Sequence, residues 1–404
     1  MLRALLLALS VSAVSAQAQL SIIGPMPGHV DMLGATIWLQ CTGQCQAQLE
    51  YWVKEKPDSL LRSEVITSEV AKAHAMEFTL DHVVPGRTYG YRVLVDGKAV
   101  DVGEPLWFHT QPLWKYRTDP PEFTVAAGSC TYVNEPAYDR PGTPYGGGYG
   151  IFNSIADAKP DLMIWLGDNT YLREPDWGSW PGYLHRYTHT RSLPDLQHLL
   201  RSTQHYAIWD DHDFGPNDCD GSFIGADLSH KAFDLFWANP THGLPGVGGN
   251  GTSFSYADVD FFLLDDRSFR VPPDVVTAKP TLLGQPQIDR LIQMLKYSDA
   301  SFKIVALGGQ FLRRLHELIA QADGEVGVLE HDRRVSLAVE VRVVFAAFNE
   351  DAGLALFLDL APDELLDIRV IDVEDDHLRR TTGLATALDG AGRGVGAAHE
   401  ADRA

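Results

Sequence analysis

Between residues 20 and 110 apolar and polar positions alternate in short runs, at 35–39, 49–53 and 88–95 among others, broken by turn residues at near-regular spacing. A period of two with frequent turns predicts half-buried strands stacked as a small β-sandwich. After the linker 111–121 the rhythm changes. Unbroken apolar runs at 123–127, 161–166, 206–209, 259–264 and 302–307 read as buried strands. Helical spacing appears between them at 150–158, 226–237 and 285–297. Strand and helix in alternation predict an α/β layered domain, which usually gathers its chemistry at the C-terminal ends of its strands.

Another break falls after Gln310. Residues 311–404 contain no Trp, Tyr, Cys or Lys, although 9 Trp and 14 Tyr precede them. The run 335–348 keeps a strand-like pattern, whereas the Ala, Gly, Asp and Arg mixture from about residue 381 predicts disorder. The expected organisation is therefore a leader at 1–18, a β-sandwich at 19–112, an α/β core at 120–310 and an atypical, partly disordered segment at 311–404.

Composition narrows the function. At 404 residues and 45% hydrophobic content the chain can bury large cores. A formal charge of -21 argues against a nucleic-acid surface, which needs clustered Lys and Arg. Arg3, the apolar run 4–14 and small residues at Ala16 and Ala18 fit a cleavable export signal, and no later stretch is long and apolar enough to span a bilayer. The expected location is periplasmic or secreted. In that setting Cys41 and Cys45, four apart, either form a local bridge or stay free.

Two strand ends carry the chemistry. The run Leu162 to Leu166 is followed by Gly167, Asp168, Asn169, Thr170 and Tyr171, and the run Tyr206 to Trp209 by Asp210, Asp211, His212 and Asp213. Carboxylate and phenolate oxygens are hard donors suited to oxygen-preferring cations. Three carboxylates beside an imidazole repel one another unless a cation compensates them. His212 is then a ligand or a proton donor. Cys130 closes the first α/β strand as a metal-binding thiolate, an inert buried thiol, or the partner of Cys219 in a disulfide. For Asp168 the competing reading is a helix N-cap, and for Tyr171 a core aromatic.

Taken in order, these segments resemble a family. Gly-Ser-Cys at 128–130, Gly-Asp-Asn-Thr-Tyr at 167–171, Trp-Asp-Asp-His-Asp at 209–213 and Leu-Asp-Asp-Arg at 264–267 resemble alkaline phosphatase D-type metallophosphatases of the purple acid phosphatase superfamily. Leu-Gly-Gln at 283–285, Ser-Phe-Lys at 301–303 and Gly-Gly-Gln at 308–310 continue the set, so the resemblance spans about residues 20–310. Pro-Gly-Arg-Thr-Tyr at 85–89 likewise resembles the tyrosine corner of fibronectin type III domains. The resemblance implies a two-sheet metallophosphatase sandwich flanked by helices, behind a fibronectin- or immunoglobulin-like β-sandwich. It implies hydrolysis of a small phosphate ester, with Cys130, Asp168 and Tyr171 holding iron. Asp168 would bridge to a second ion, often calcium, that Asp211 also holds; Mn, Zn or Mg are alternatives. His212 would stabilise the transition state or protonate the leaving alkoxide.

One departure matters. The family's downstream Gly-Asp-x-His motif has no counterpart after Gln310, and the nearest fragment, His331-Asp332-Arg333-Arg334, has the order reversed. With the compositional break, this predicts a frameshifted or substituted C-terminal segment. The alternatives to an active phosphatase or phosphodiesterase are a catalytically impaired homologue and a non-enzymatic scaffold built on the sandwich.

Overall fold

A computed structural model of the chain describes residues 21–309 and two further strands, Ala355–Leu360 and Asp367–Ile371. The expected export signal and the run 335–348 lie outside the described residues.

The first part is built from β1 (Ile22–Val30), β2 (Ala35–Cys41), β3 (Gln46–Val53), β4 (Leu61–Arg62), β5 (Ile66–Thr67), β6 (Ala75–Leu80), β7 (Thr88–Val95), β8 (Lys98–Ala99) and β9 (Leu106–His109). One sheet runs β1-β2-β6; the other runs β4-β3-β7-β8, with β5 on β3 and β9 on β7. Alternate residues point inward, so Ile37 and Leu39 of one sheet meet Leu49, Tyr51, Tyr89 and Val93 of the other in a single core. The Tyr89 hydroxyl accepts the Val84 N–H at 2.9 Å, the backward bond expected of a tyrosine at this corner. Cys41 and Cys45 are bonded to each other, closing the β2–β3 turn.

The second part alternates: β10 (Phe123–Gly128), α1 (Ile151–Asp157), β11 (Leu162–Leu166), α2 (Trp180–Arg191), α3 (Gln197–Ser202), β12 (Gln204–Ile208), α4 (Asp211–Phe214), α5 (Ala226–Phe236), β13 (Thr252–Tyr256), β14 (Val259–Leu264), α6 (Gln285–Tyr297) and β15 (Phe302–Leu307). Two more strands, β16 (Ala355–Leu360) and β17 (Asp367–Ile371), complete a five-stranded sheet of order β12-β11-β10-β16-β17. They come from the stretch that composition sets apart. β10, β11 and β12 run parallel, and β16 runs antiparallel to β10. The second sheet is β13-β14-β15, with β14 and β15 parallel.

The two sheets share one core, in which Tyr206 of β12 stacks on Phe254 of β13 with ring centroids 3.7 Å apart. The N-terminal sandwich seats on this body along β1 and β2. Gly28 lies so close to Ala238 that a Cβ would overlap its carbonyl, and His29 N–H donates to that carbonyl at 3.0 Å. Trp38 Nε1 donates to Leu235 O at 2.9 Å. The buried Arg191 guanidinium lies over Trp38 and Trp237, with centroid distances of 4.9 and 4.0 Å. Burial depresses its pKa to about 9. Among the described residues no helix is long and apolar enough to cross a membrane.

Candidate metal centre

Because β10, β11 and β12 are parallel, their C-terminal ends emerge on one side, and the segments that follow meet there. Cys130 N–H donates to Gly167 O at 3.2 Å and Thr131 N–H to Asp168 O at 2.8 Å, which ties the first two loops together. Asp168 and Cys130 both adopt left-handed backbone, with φ of 51° and 59°. L side chains rarely sit there, and such strain gathers at functional sites where surrounding contacts hold it.

Ligand atoms of Asp168, Asp211 and His212 lie within 4.8 Å of one another. Asp168 Oδ1 accepts the His212 main-chain N–H at 3.2 Å, and Oδ2 accepts the Tyr171 hydroxyl at 3.0 Å. The Cys130 thiol reaches the same Oδ2 at 3.9 Å. Of the sequence-marked residues, Asp168, Asp211 and His212 thus converge, and Cys130 and Tyr171 adjoin them through the Asp168 carboxylate. Cys130 and Cys219 are both free thiols, so the disulfide alternative falls away. Cys130 is open to solvent on one side, yet burial of its sulfur and the Asp168 carboxylate push the thiol up to about 11. Asp168 begins no helix, so the N-cap alternative also falls away.

Adjacent aspartates do different work. Asp213, fully buried, accepts the main-chain N–H groups of Asn169, Thr170 and Asp210 at 3.2, 2.8 and 3.0 Å. It is a clamp between two loops, and burial pushes its carboxyl up to about 7. Asp210 pairs instead with Arg267, which also lies 3.5 Å from Asp266. Asp211 Oδ2 accepts the Asp218 N–H at 2.5 Å, leaving its carboxylate beside His212. Burial lowers the His212 pKa, favouring neutral imidazole.

The second sheet contributes from its own strand ends. Trp209 Nε1 donates to Asp265 Oδ1 at 2.8 Å, and Gly309 N–H donates to Asp266 Oδ2 at 2.7 Å. Against the cost of burial, Asp266 and Asp210 hold Arg267 protonated. Sequence reasoning assigned no role to Asp266 and Arg267; an arginine directly after two aspartates at a strand end was the available signal.

Charge tests whether a cation fits. Burial, then the carboxylates of Asp210, Asp211 and Asp213, push Asp168 well above the usual carboxylate range. Arg267 is the cation paired with Asp210, and among the described residues no ion pair gives Asp168 a counter-charge. A buried anionic oxygen set with an imidazole and a phenol alongside matches the donors that multivalent cations take. The residues fit such an ion.

The α/β body has two sheets on one core, with carboxylates gathered where strands end. It is similar to a solved structure described as "Structure of PhoD", at 19% identity and a TM-score of 0.57, covering 70% of this chain and 61% of that one. It is also similar to a purple acid phosphatase from yellow lupin (Lupinus luteus) seeds, at 13% identity and a TM-score of 0.50, covering 70% and 50%. The chain thus spans less than two thirds of either neighbour's length. At these identities the likeness is one of fold. Residues 17–106 match a family described as a domain of unknown function, DUF7800. No curated protein matches the chain.

Proposed function

We propose that this chain is an exported, metal-dependent hydrolase of small phosphoric esters. The observation that carries the reading is the convergence of Asp168, Asp211 and His212 within ligand distance of one another at parallel strand ends. Cys130, Asp168 and Tyr171 would hold one ion, iron by resemblance; Asp168 and Asp211 would hold a second, calcium by the same resemblance. Such ions supply Lewis acidity toward a phosphoryl oxygen. The chain's own part is positional. Asp213 and the Cys130–Gly167 bond fix the loops, and Tyr171 and the His212 N–H orient the Asp168 carboxylate. His212 would hold or give a proton to a leaving oxygen.

Metal content measured beside hydrolysis of a chromogenic phosphate monoester and diester tests this. Bound iron and a second ion are expected, with turnover falling about a hundredfold after chelation or in Asp168→Ala. Hydrolysis that survives both treatments would sink the proposal. A second reading, a catalytically impaired homologue, is favoured by the missing Gly-Asp-x-His motif after Gln310. Stoichiometric metal without turnover of any ester is its signature.

A further inference from the structure

One loop beside the centre is built with more care than a connection needs. Asn134 grips residue 146 from both sides: its amide donates to Gly146 O at 2.5 Å, and its Oδ1 accepts Gly146 N–H at 3.0 Å. Its main-chain N–H also donates to the Tyr149 hydroxyl at 2.8 Å. A Cβ at position 146 would lie 2.5 Å from Tyr132 O, so only glycine closes the grip. The neighbouring Tyr145 is thereby fixed although 63% exposed.

Its ring is the outer end of a file. Tyr145 packs on Tyr132 with centroids 5.2 Å apart, Tyr132 on Tyr171 at 4.9 Å, and Tyr171 on His212 at 4.4 Å. Tyr132 cannot swing away. The Arg173 guanidinium lies over its ring at 4.3 Å, and its hydroxyl donates to Asp139 at 2.9 Å. Arg140, exposed on the same loop, is close enough to His212 for its charge to act there.

We infer that the loop 135–149 is the leaving-group wall of the site and selects phosphate esters that carry an aryl or nucleobase ring. The ring packs on Tyr145 and Tyr132, and Arg140 meets phosphoryl charge. Aromatic edges and faces reward a second ring over an alkyl chain of equal size, and planar bases stack on tyrosine whatever their sequence. This inference rests on the hydrolase reading above.

The test compares phenyl phosphate with propyl phosphate on the full, metal-loaded chain, followed by phosphate release. The ratio of their kcat/KM values should fall about tenfold in Tyr145→Ala, mostly through KM, and return in Tyr145→Phe. A ratio unmoved by Tyr145→Ala overturns the inference. Titration with phenylphosphonate and propylphosphonate, which are not hydrolysed, reads the same preference without turnover. If the wild type hydrolyses neither ester, the hydrolase reading fails, while a Tyr145-dependent preference for phenylphosphonate still supports the wall. Equal binding of the two phosphonates overturns it. Because Tyr145 is exposed, neither substitution threatens folding.

Discussion

Asp211 and Asp213 are two residues apart and answer to opposite pressures. Asp213 is matched to three main-chain donors, and Asp213→Ala would leave all of them buried without an acceptor. That loss should cost about 3 kcal/mol in urea unfolding. Asp211 instead adds negative charge that raises both Asp168 and Asp210. In chelated protein Asp211→Asn should therefore raise stability, by on the order of 1 kcal/mol. A lower urea midpoint for that variant would contradict the charge argument. Asp213 also sets a pH dependence. Its folded pKa is raised from 3.8 to about 7, so on raising pH the unfolded chain gives up this proton first. The stability it contributes is complete below about pH 4 and is lost as pH climbs to about 7. Asp213→Asn should abolish this part of the slope in chelated protein, and parallel profiles for the two proteins would refute it. The sequence made Asp168, Asp211 and His212 legible because each lies within four residues of the end of an apolar strand. It could not separate three neighbouring aspartates, since their roles depend on Arg267 and the Asn169 loop, far along the chain.

Elements were legible where burial follows a simple period. β7, β14, β15 and α6 fall where the pattern puts them: β7 and α6 each turn an apolar face to a core, and β14 and β15 pack both faces against a core and so read as near-continuous apolar runs. The helix α2 escaped because its buried face is polar: Tyr183, Arg186, Tyr187, Thr190 and Arg191 point inward, held by hydrogen bonds and ring contacts that hydrophobic periodicity does not register. β13, with alternating serines, was equally silent. Where the elements meet, spacing is critical. Gly308, just past β15, lies against the Trp209 carbonyl beyond β12, with room for hydrogen only. Gly308→Ala should push the two strand ends apart, lowering stability by about 3 kcal/mol and metal affinity with it. Calorimetry and metal titration on that variant check both, and an unchanged affinity would mean the second sheet does not support the centre.

At the scale of the molecule, the seam between the N-terminal sandwich and the α/β body decides how the protein unfolds. Both sides share one core, in which Met26 and Trp38 pack with Phe236 and Trp237. A single calorimetric transition is the expected outcome for the described body. Gly28→Val, which drives a side chain into Ala238, should split it into two, and a transition that stays single would show that the halves cooperate by another route. Patterning predicts two kinds of structure and composition a break after Gln310; neither predicts that β16 and β17, from beyond it, join the five-stranded sheet, since pairing partners are invisible to both.

Arg191 gives this seam an optical property. Its guanidinium lies against one indole from each side, Trp38 and Trp237, so both rings are dry while the halves are joined. Parting them would wet both indoles together. The seam therefore carries its own emission reporter, readable in the unlabelled protein.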